Sequence, residues 1–249
     1  MIASEYAARA AGLVEHVVQT QLPALREAAA MLAGSIAAGG VLQTFGTGHS
    51  RIVTLELAGR AGGLVPVGML AVKDLVMFGG EDPAAILDPT YERESGLAGR
   101  IYALARPRPE DVFLIVSNSG LNAAIVEMAQ LVRERGHGLI AITSLAHTRS
   151  AAARTACGPR LADLADVVID NGAPEGDAAI EVAPGVRIGA VSSLTGVLAA
   201  QILTELVCRE LLERGEEPPV YISANLAAGD AHNRQLLKRY QDRVRPIEP

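Results

Sequence analysis

The sequence has few large aromatic side chains and few thiols. Its 249 residues include no tryptophan, 3% aromatic residues and two cysteines. Because aromatic side chains supply much of the buried area in many cores, their scarcity leads us to expect further burial at a subunit interface. Cys157 and Cys208 show neither pairing nor metal-ligand spacing, and we interpret them as two reduced structural thiols.

Basic runs, a secretion signal and a membrane-spanning segment are also missing. The formal net charge of −6 and the lack of a long basic run argue against nucleic acid as a partner. The most apolar helical stretch, 190–212, carries Glu205, Arg209 and Glu210 and is therefore not a membrane span. The N-terminus lacks a basic–apolar–cleavage pattern. We expect a cytoplasmic protein that contacts neither nucleic acid nor a membrane.

Short apolar runs alternate with helical patterns along the chain. Because these runs are continuously apolar rather than alternating, they predict a parallel sheet with helices on both faces. Pro23 predicts a kink or a second start within the first helix. Strands are predicted at 41–45, 64–67, 112–116, 138–143 and 167–169, and helices at 3–38, 50–60, 94–105, 122–135, about 148–154, 191–214 and about 230–241.

The remaining segments are predicted to be less regular. Residues 69–95, with two Asp-Pro steps, predict a long irregular loop. A small hairpin is predicted around 180–188, an extended segment at 220–223 and a frayed end at 243–249. No internal repeat or flexible linker is present, so we expect a single domain over 1–249, with N-terminal helices at 3–38 and a C-terminal extension at 216–249.

A polar loop follows the apolar run 112–116 and leads into a helix. It reads Ser117, Asn118, Ser119 and Gly120. Two hydroxyls and the free backbone N–H groups of a first helical turn together make an anion cradle. The helix dipole adds roughly 0.3–1 kcal/mol for each negative charge placed there. The alternative interpretation is a simple helix N-cap.

A second strand–loop–helix passage reads Gly46, Thr47, Gly48, His49 and Ser50. It lacks the third glycine of a dinucleotide fingerprint and the lysine of a P-loop, so neither NAD nor ATP is favoured. The alternative interpretation is an ordinary tight turn that uses glycine for positive φ. Because both loops follow parallel strands, they lie at one edge of the sheet. Together they predict a shared site for a phosphorylated small molecule.

A third polar feature opens the late helix. Ser192, Ser193 and Thr195 stand where hydroxyls either bind an anion or cap free amides. The anion-binding interpretation agrees with the two loops, and plain capping is the alternative.

These three features together resemble the SIS (sugar isomerase) domain, a phosphosugar-binding module. Ser117–Gly120 stands at the family's Ser-x-Ser-Gly position, and the resemblance is strongest to the phosphoheptose isomerase branch. It covers about 10–215 and implies a flavodoxin-like three-layer α/β sandwich with a five-stranded parallel sheet. It also implies a phosphorylated sugar as ligand and a homodimer or homotetramer with shared sites. The family continues Ser-Gly-x-Thr-x-Glu, whereas this chain has Asn122 and Ala124; Asn122 is predicted to replace the threonine as a cap or sugar contact.

Aldose–ketose isomerisation needs a base that moves a proton between neighbouring carbons. Glu56 lies in the stretch Glu56-Leu-Ala-Gly59-Arg60, which resembles the Glu-Leu-x-Gly-Arg stretch of phosphoheptose isomerases, whose glutamate is catalytic. The resemblance therefore implies that Glu56 is the base. The alternative interpretation is an ion pair with Arg51 or Arg60 on the helix surface.

The second catalytic group is less obvious. Phosphoheptose isomerases place a histidine within the late helix, where this chain has none and Gln201 is the uncharged polar side chain. His49, inside the first loop, and His232, in a polar cluster that can reach a neighbouring subunit, are the candidates. A helix-start cap shared with Asp230 is the alternative for His232. His137 is assigned to a surface or loop position.

No group of His, Cys, Asp and Glu has metal-ligand spacing, so no metal and no cofactor are predicted. Some phosphoheptose isomerases are zinc-dependent, so the resemblance leaves open a metal between Glu56 and a histidine. The resemblance implies a sugar-phosphate isomerase working through an enediol. A non-catalytic phosphosugar sensor and a phosphosugar lyase or etherase are the alternatives.

Overall fold

A computed structural model describes residues 3–88, 91, 94–150 and 158–247. The helices are α1 (Ala3–Ala37), α2 (Arg51–Leu57), α3 (Asp74–Met77), α4 (Leu97–Ala105), α5 (Ala123–Glu134), α6 (Leu145–Thr148), α7 (Leu161–Leu164), α8 (Ser192–Glu213) and α9 (Gly229–Arg239). The strands are β1 (Leu42–Gly46), β2 (Val67–Leu70), β3 (Val112–Val116), β4 (Gly138–Thr143), β5 (Val167–Asp170), β6 (Ala178–Ala183) and β7 (Val186–Ala190). Two 3₁₀ turns span Gly48–Ser50 and Ala85–Leu87.

The sheet is parallel and has the order β2-β1-β3-β4-β5. The apolar strands β1 and β3 are buried along their full length, as expected for the middle of a sheet covered on both faces. The predicted five-stranded parallel α/β sheet is confirmed. In this order, β1 lies between β2 and β3, so the loop after β1 is flanked by the loops after those two strands.

Two apolar layers cover the sheet. On one face, Leu25 of α1 and Leu203 of α8 pack with Leu114 of β3. On the other face, Ile101 of α4 and Met128 of α5 belong to the second core cluster, together with Phe113 and Ile115 of β3. Successive residues of β3 thus enter opposite layers. The predicted three-layer sandwich is confirmed.

The first helix is longer and more continuous than the proline pattern predicts. α1 runs through Pro23 without a break, so the predicted second helix start is wrong. Val17 before the proline and Leu25 after it are both fully buried. Packing on both sides of Pro23 keeps the helix intact, although proline removes one backbone hydrogen bond.

The second strand is displaced from its prediction. The strand lies at Val67–Leu70 rather than at 64–67. Pro66 has no N–H to donate to the sheet, and Leu64 instead forms an antiparallel bridge with Val220 of the C-terminal extension. The segment 69–95, predicted to be an irregular loop, contains the end of β2, α3 and a 3₁₀ turn.

The end of the chain is also more ordered than predicted. Arg243 Nη2 donates to Asp111 Oδ1 at 2.5 Å. The Arg245 guanidinium lies 4.6 Å from the centroid of the Phe78 ring, and Ile247 packs on the core. These contacts overturn the predicted frayed end as far as residue 247.

Three smaller expectations can be placed. Most of the short helix predicted near 148–154 falls on residues 151–157, which include Cys157 and lie outside the described residues; a short helix, α6, precedes them at Leu145–Thr148. Cys208 is half-buried, and burial raises the pKa of its thiol. The predicted hairpin is present as β6 and β7.

None of the helices in the described ranges is both long and apolar enough to cross a bilayer.

Candidate functional site

The two polar loops lie side by side at the carboxyl edge of the sheet. Gly46, the last residue of β1, pairs in register with Val116, the last residue of β3. Adjacent strands are about 4.8 Å apart, so the loops that leave these two residues begin as neighbours. This pairing brings the loops 46–50 and 117–120 together at one edge of the sheet, as expected from the sequence.

The first loop needs glycine at Gly46. A Cβ at this position would lie 3.2 Å from the Val116 carbonyl oxygen and 3.3 Å from the Ser50 carbonyl oxygen, so a side chain would push the two loops apart. Gly48 has a positive φ of 55°, which L-residues adopt only with strain. Thr47 and Ser50 are half-buried and His49 is exposed on the 3₁₀ turn.

The second loop presents hydroxyls and helix amides together. Ser117 Oγ accepts a 3.1 Å hydrogen bond from the Gly120 N–H, and Ser119 Oγ accepts one of 3.4 Å from the Leu121 N–H. The side chain of Asn122 makes no capping bond to α5 in the described structure. Since the first-turn N–H groups of a helix lack intrahelical acceptors, this end of α5 can receive an anion.

Neighbouring loops hold the second loop in place. Asn118 Oδ1 accepts from Asn171 Nδ2 at 3.1 Å, and the Asn118 carbonyl accepts from the Ser144 N–H at 3.2 Å. Thr148 Oγ1 donates to the Ser119 carbonyl at 3.0 Å. A cradle fixed in this way needs little reorganisation when a ligand arrives.

The N-terminus of α8 already holds a carboxylate. Asp177 Oδ1 accepts from the N–H groups of Val191 and Ser192 at 3.0 and 2.8 Å, and Ser192 Oγ donates to Asp177 Oδ2 at 2.7 Å. The start of α8 is therefore capped, which was the alternative to anion binding, and the capping carboxylate comes from the turn before β6. The Ser192 hydroxyl therefore has an internal partner, and phosphate contacts from Ser192 and the half-buried Ser193 stay predictions.

Glu56 lies on α2 against the late helix. Gln201 Nε2 donates to Glu56 Oε1 at 2.6 Å, and Arg60 forms an ion pair with the same carboxylate oxygen. The two helices approach closely because Gly196 has no side chain; a Cβ there would lie 2.7 Å from Val53 Cγ2. The surface ion pair considered as an alternative is thus present with Arg60, together with a second partner that sequence spacing does not indicate.

The histidines lie apart from one another. His232 Nε2 contacts the Val220 carbonyl at 3.0 Å and is half-buried in the C-terminal extension. His137 is buried, with Nε2 2.8 Å from the Tyr102 hydroxyl and Nδ1 3.2 Å from the Asp111 carbonyl. His137 thus lies in the loop between α5 and β4, one of the two expected positions, but it is buried rather than on the surface. The roles of His49 and His232 as proton carriers stay predictions.

A cavity of about 230 Å³ opens beside the first loop, on the β2 side. This volume is below the roughly 300–1,000 Å³ of sites for drug-sized ligands. Its lining combines loop backbone, one guanidinium, one carboxylate, one phenol and two aliphatic side chains. The lining residues are Gly46, Thr47, Gly48, Arg51, Val72, Ile86, Asp88 and Tyr91.

Tyr91 is held firmly in the cavity wall. It is 6% exposed, and its hydroxyl donates to Glu81 and accepts from Arg100 Nη2 at 3.0 Å. Arg100 also forms an ion pair with Glu81. Burial raises the pKa of the Tyr91 hydroxyl, and the nearby Glu94 raises it further.

Positive charge gathers at the carboxyl end of β2. Burial lowers the pKa of Lys73, and the charge of Arg51 lowers it further, while Asp74 opposes both effects. Burial raises the pKa of Asp74, against a hydrogen bond from the Ala71 N–H and the charges of Arg245, Lys73 and Arg51. Lys73, Asp74 and Arg245 line one cavity beside the end of β2.

The surroundings of Glu56 do not fit a metal ion. The partners of its carboxylate are Arg60 and Gln201, and neither side chain is a usual metal ligand. Across the described parts of the chain, no three His, Cys, Asp or Glu side chains are placed to hold a metal. No metal-dependent step is derived for this site.

Comparison with known proteins identifies the fold family. Residues 5–144 match the family model of the SIS domain, which is more than half of the chain. The chain belongs to the SIS-domain family. The SIS resemblance predicted from the three polar motifs is confirmed.

Relatives and solved structures agree with this membership. A UPF0309 protein of Listeria monocytogenes is 34% identical over 233 residues, covering 93% of this chain and 93% of the relative. A UPF0309 protein of Geobacillus kaustophilus is 36% identical over 234 residues, covering 93% and 91%. The structure of phosphoheptose isomerase from Neisseria gonorrhoeae is similar with a TM-score of 0.55 at 15% identity, covering 83% of this chain and 97% of that chain. Likeness at that identity shows a shared SIS fold.

Four residues of this SIS-domain site are not predicted by the sequence. Sequence spacing indicates Arg51 only as a partner of Glu56, and Lys73 and Tyr91 fall in the predicted irregular loop. Asp177 ends the stretch Pro174-Glu175-Gly176-Asp177. Only Asp177 has a local signal, because it shares a Gly-Asp turn with φ of 69° before a hairpin. Lys73 and Tyr91 gain their positions from the tertiary packing of 69–95, and Arg51 gains its position at the start of α2.

Proposed function

We propose that this SIS-domain protein binds a phosphosugar, with the phosphate in the cradle formed by the loops 46–50 and 117–120. The pairing of Gly46 with Val116 carries the proposal, because it sets both loops at one point of the sheet edge. The Oγ atoms of Ser117 and Ser119 accept from the Gly120 and Leu121 N–H groups, so their O–H groups, with the first-turn amides of α5, are the proposed donors to the phosphate. Family membership supports a sugar phosphate as the ligand.

We further propose that the protein is an aldose–ketose isomerase. Glu56 takes a proton from the carbon next to the carbonyl, which leaves an enediol, and returns it to the neighbouring carbon. A second group moves a proton between the two oxygens, and His49 and His232 are the proposed carriers. The similarity in fold to phosphoheptose isomerases supports this reaction class.

Gln201 takes the place of the late-helix histidine as the polar partner of the glutamate. An amide N–H can orient a carboxylate but cannot exchange a proton with substrate near neutral pH. We therefore assign Gln201 to positioning Glu56. The proton carrier must therefore come from elsewhere, either His49 of the same subunit's first loop or His232 of a neighbouring subunit.

An oligomer with shared sites is part of the proposal. Ile52 and Leu55 on α2 are 44% and 49% exposed, and they line a shallow groove with His49 and Arg51. A second subunit covering this apolar face would enclose Glu56 and bring the partner's proton carrier to it. Light scattering should then give a dimer or tetramer for the wild type and a smaller species for Leu55→Glu.

A non-catalytic sensor is the second candidate. It is favoured by the two partners of Glu56, since Arg60 and Gln201 both bind the carboxylate oxygen Oε1, which is then not free to meet a substrate proton. A phosphosugar lyase or etherase would use the same Glu56 to remove a proton. All three candidates share the phosphate cradle and differ only in the fate of the sugar once it is bound.

A thermal-shift screen with aldose and ketose phosphates tests binding. A sugar phosphate that stabilises the protein is then incubated with it and followed by NMR. Interconversion of aldose and ketose supports the isomerase, elimination supports the lyase, and stabilisation without turnover supports the sensor. No stabilisation by any sugar phosphate contradicts the proposed function as a whole.

A further inference from the structure

Four hydrogen bonds join the loops after β3, β4 and β5 into a closed circuit. The Asn118 carbonyl accepts from the Ser144 N–H at 3.2 Å, and Ser144 Oγ donates to the Ala173 carbonyl at 2.6 Å. The Ala173 N–H donates to Asn171 Oδ1 at 3.0 Å, and Asn171 Nδ2 donates to Asn118 Oδ1 at 3.1 Å. The circuit therefore begins and ends on Asn118, the second residue of the Ser117–Gly120 loop.

The circuit determines which way each of the two amides points. The Ala173 N–H can only donate, so the Asn171 atom that it meets must be the oxygen, and the nitrogen of Asn171 must face Asn118. That nitrogen can only donate in turn, so the Asn118 atom that it meets must also be the oxygen. One backbone N–H thus sets the orientation of two amides in succession.

Asn171 is well placed to hold this orientation. It is 2% exposed, and Ala173 is fully buried. The Asn171 N–H donates to the Thr143 carbonyl at 2.9 Å, which fixes the backbone from which the amide extends. Because a buried polar group loses free energy when it has no partner, a turned Asn171 amide would be unfavourable at both of its ends.

The consequence at the loop is one donor with a fixed direction. The two arms of the planar Asn118 amide diverge from Cγ, so Nδ2 points away from Asn171. Asn118 is half-buried, and within the described part of the chain its Nδ2 makes no hydrogen bond and is not a buried atom. It is therefore accessible to a ligand in the loop that contains Ser117 and Ser119.

We propose that Asn171 is a positioning residue of the phosphate site: it holds the Asn118 amide so that Nδ2 donates to a phosphate oxygen. This role rests on the proposed function, which places the phosphate between the loops 46–50 and 117–120. The oxygens of a phosphate dianion accept hydrogen bonds and donate none. The opposite orientation of the Asn118 amide would set oxygen against oxygen, so a fixed orientation favours binding before the ligand arrives.

A double-mutant cycle with inorganic phosphate as the probe tests the role of Asn171. In Asn171→Asp the carboxylate still accepts from the Ala173 N–H but offers no donor to Asn118. The Asn118 amide should then turn, so that Nδ2 faces position 171 and Oδ1 faces the phosphate. We expect phosphate affinity to fall about tenfold or more, the size of a charge-assisted hydrogen bond, and Asn118→Ala should cause a similar loss.

The double variant separates amide orientation from simple charge repulsion. If Asn171 acts through the Asn118 amide, Asn171→Asp should cause little further loss in the Asn118→Ala background. Repulsion of phosphate by the new carboxylate would act in both backgrounds alike. Affinities are measured by ¹H–¹⁵N NMR titration at about pH 8, where the introduced carboxyl is ionised, and melting temperatures are recorded for every variant. Asn171→Ala, which adds no charge, runs through the same cycle in case Asn171→Asp does not fold.

The NMR spectra provide a direct readout and a control. The side-chain amide signals of Asn118, identified by their loss in Asn118→Ala, should shift when phosphate binds to the wild type. They should not shift in this way in Asn171→Asp. The matched control is Asn233→Asp, because Asn233 is also half-buried and its amide also joins loop backbone, through both polar groups of Ile222. It should leave phosphate affinity unchanged.

Each result either supports or overturns the role of Asn171. Equal losses from Asn171→Asp in both backgrounds, or unchanged affinity in the single variants, would overturn it and leave the proposed function standing on Ser117 and Ser119. A melting temperature that falls without a change in phosphate affinity would reduce Asn171 to a structural residue and overturn it as well. Absence of phosphate binding by the wild type contradicts the proposed function, and the role of Asn171 falls with it.

Discussion

Gln201 on α8 donates a 2.6 Å hydrogen bond from Nε2 to the Glu56 carboxylate on α2. The two residues are 145 positions apart, and the bare backbone of Gly196 lets their helices approach. The bond holds Oε1 of the proposed base, the same oxygen that pairs with Arg60. It thus links the packing of two core helices to the geometry of a proton transfer.

Glu56→Gln should abolish most turnover and leave binding intact. A positioned general base contributes about 10²–10⁴-fold, and the amide cannot accept the proton. Turnover is measured by NMR on the sugar phosphate identified by the thermal-shift screen, and binding by calorimetry. Glu205→Gln, an exposed residue of α8 that pairs with Arg209, is the control. Unchanged turnover in Glu56→Gln would remove Glu56 from the mechanism.

Gln201→Glu should change the pH dependence of turnover more than its maximum. A second carboxylate beside Glu56 disfavours the charged form of the base, so the acid limb of the pH–rate profile should move to higher pH. Gln201→Met keeps the bulk without the hydrogen bond and should lower turnover without that displacement. If both variants change only the melting temperature, Gln201 has a structural role alone.

Asp177→Ala should destabilise the fold. The carboxylate accepts hydrogen bonds from two N–H groups and the Ser192 hydroxyl at the start of α8, and loss of such a cap costs about 1–2 kcal/mol. Asp177→Asn keeps one acceptor and should cost less. Urea unfolding measures both, and Glu175→Ala, two residues earlier and exposed, should be neutral. A neutral Asp177→Ala would show that α8 needs no cap from this turn.

Arg243→Ala should destabilise the fold more than Asp177→Ala does. Asp111 is 1% exposed and accepts from the Val41 N–H, the Arg108 N–H and Arg243 Nη2. Removing one partner of a buried ion pair costs about 3–5 kcal/mol. Arg239→Ala, exposed on α9, is the control in the same unfolding experiment. Equal stability of the two variants would mean that the C-terminal segment adds nothing to the fold.

The sheet and its loops can be predicted because their signals are local. Continuous apolar strands, such as 112–116, and glycines at loop starts, such as Gly46, depend on neighbours in sequence. The position of the C-terminal segment cannot be predicted in this way, because Arg243 and Asp111 lie 132 residues apart and nothing in 243–249 resembles a strand or helix.

The residues of the candidate site also differ in whether a local sequence signal predicts them. Ser117–Gly120 is evident from its own motif, whereas Tyr91 reaches the cavity through the fold of 69–95. The partner of Glu56 is not evident from the sequence, because no pattern relates α2 to the middle of α8. The displacement of β2 has a local cause, because Pro66 is visible in the sequence beside it. The pairing of Leu64 with Val220 has no local cause, because the two residues are far apart in the sequence.

The central claim is that the cradle of Ser117–Gly120 captures a sugar phosphate. Calorimetric titration tests this claim most directly. The wild type is titrated with the stabilising sugar phosphate and with the same sugar without its phosphate, and the variant Ser119→Asp is titrated with the sugar phosphate. We predict binding of the phosphorylated sugar alone and its loss in Ser119→Asp, because a fixed carboxylate in the cradle repels phosphate at unchanged fold stability. Equal binding of the unphosphorylated sugar, or full binding by Ser119→Asp, would contradict the account.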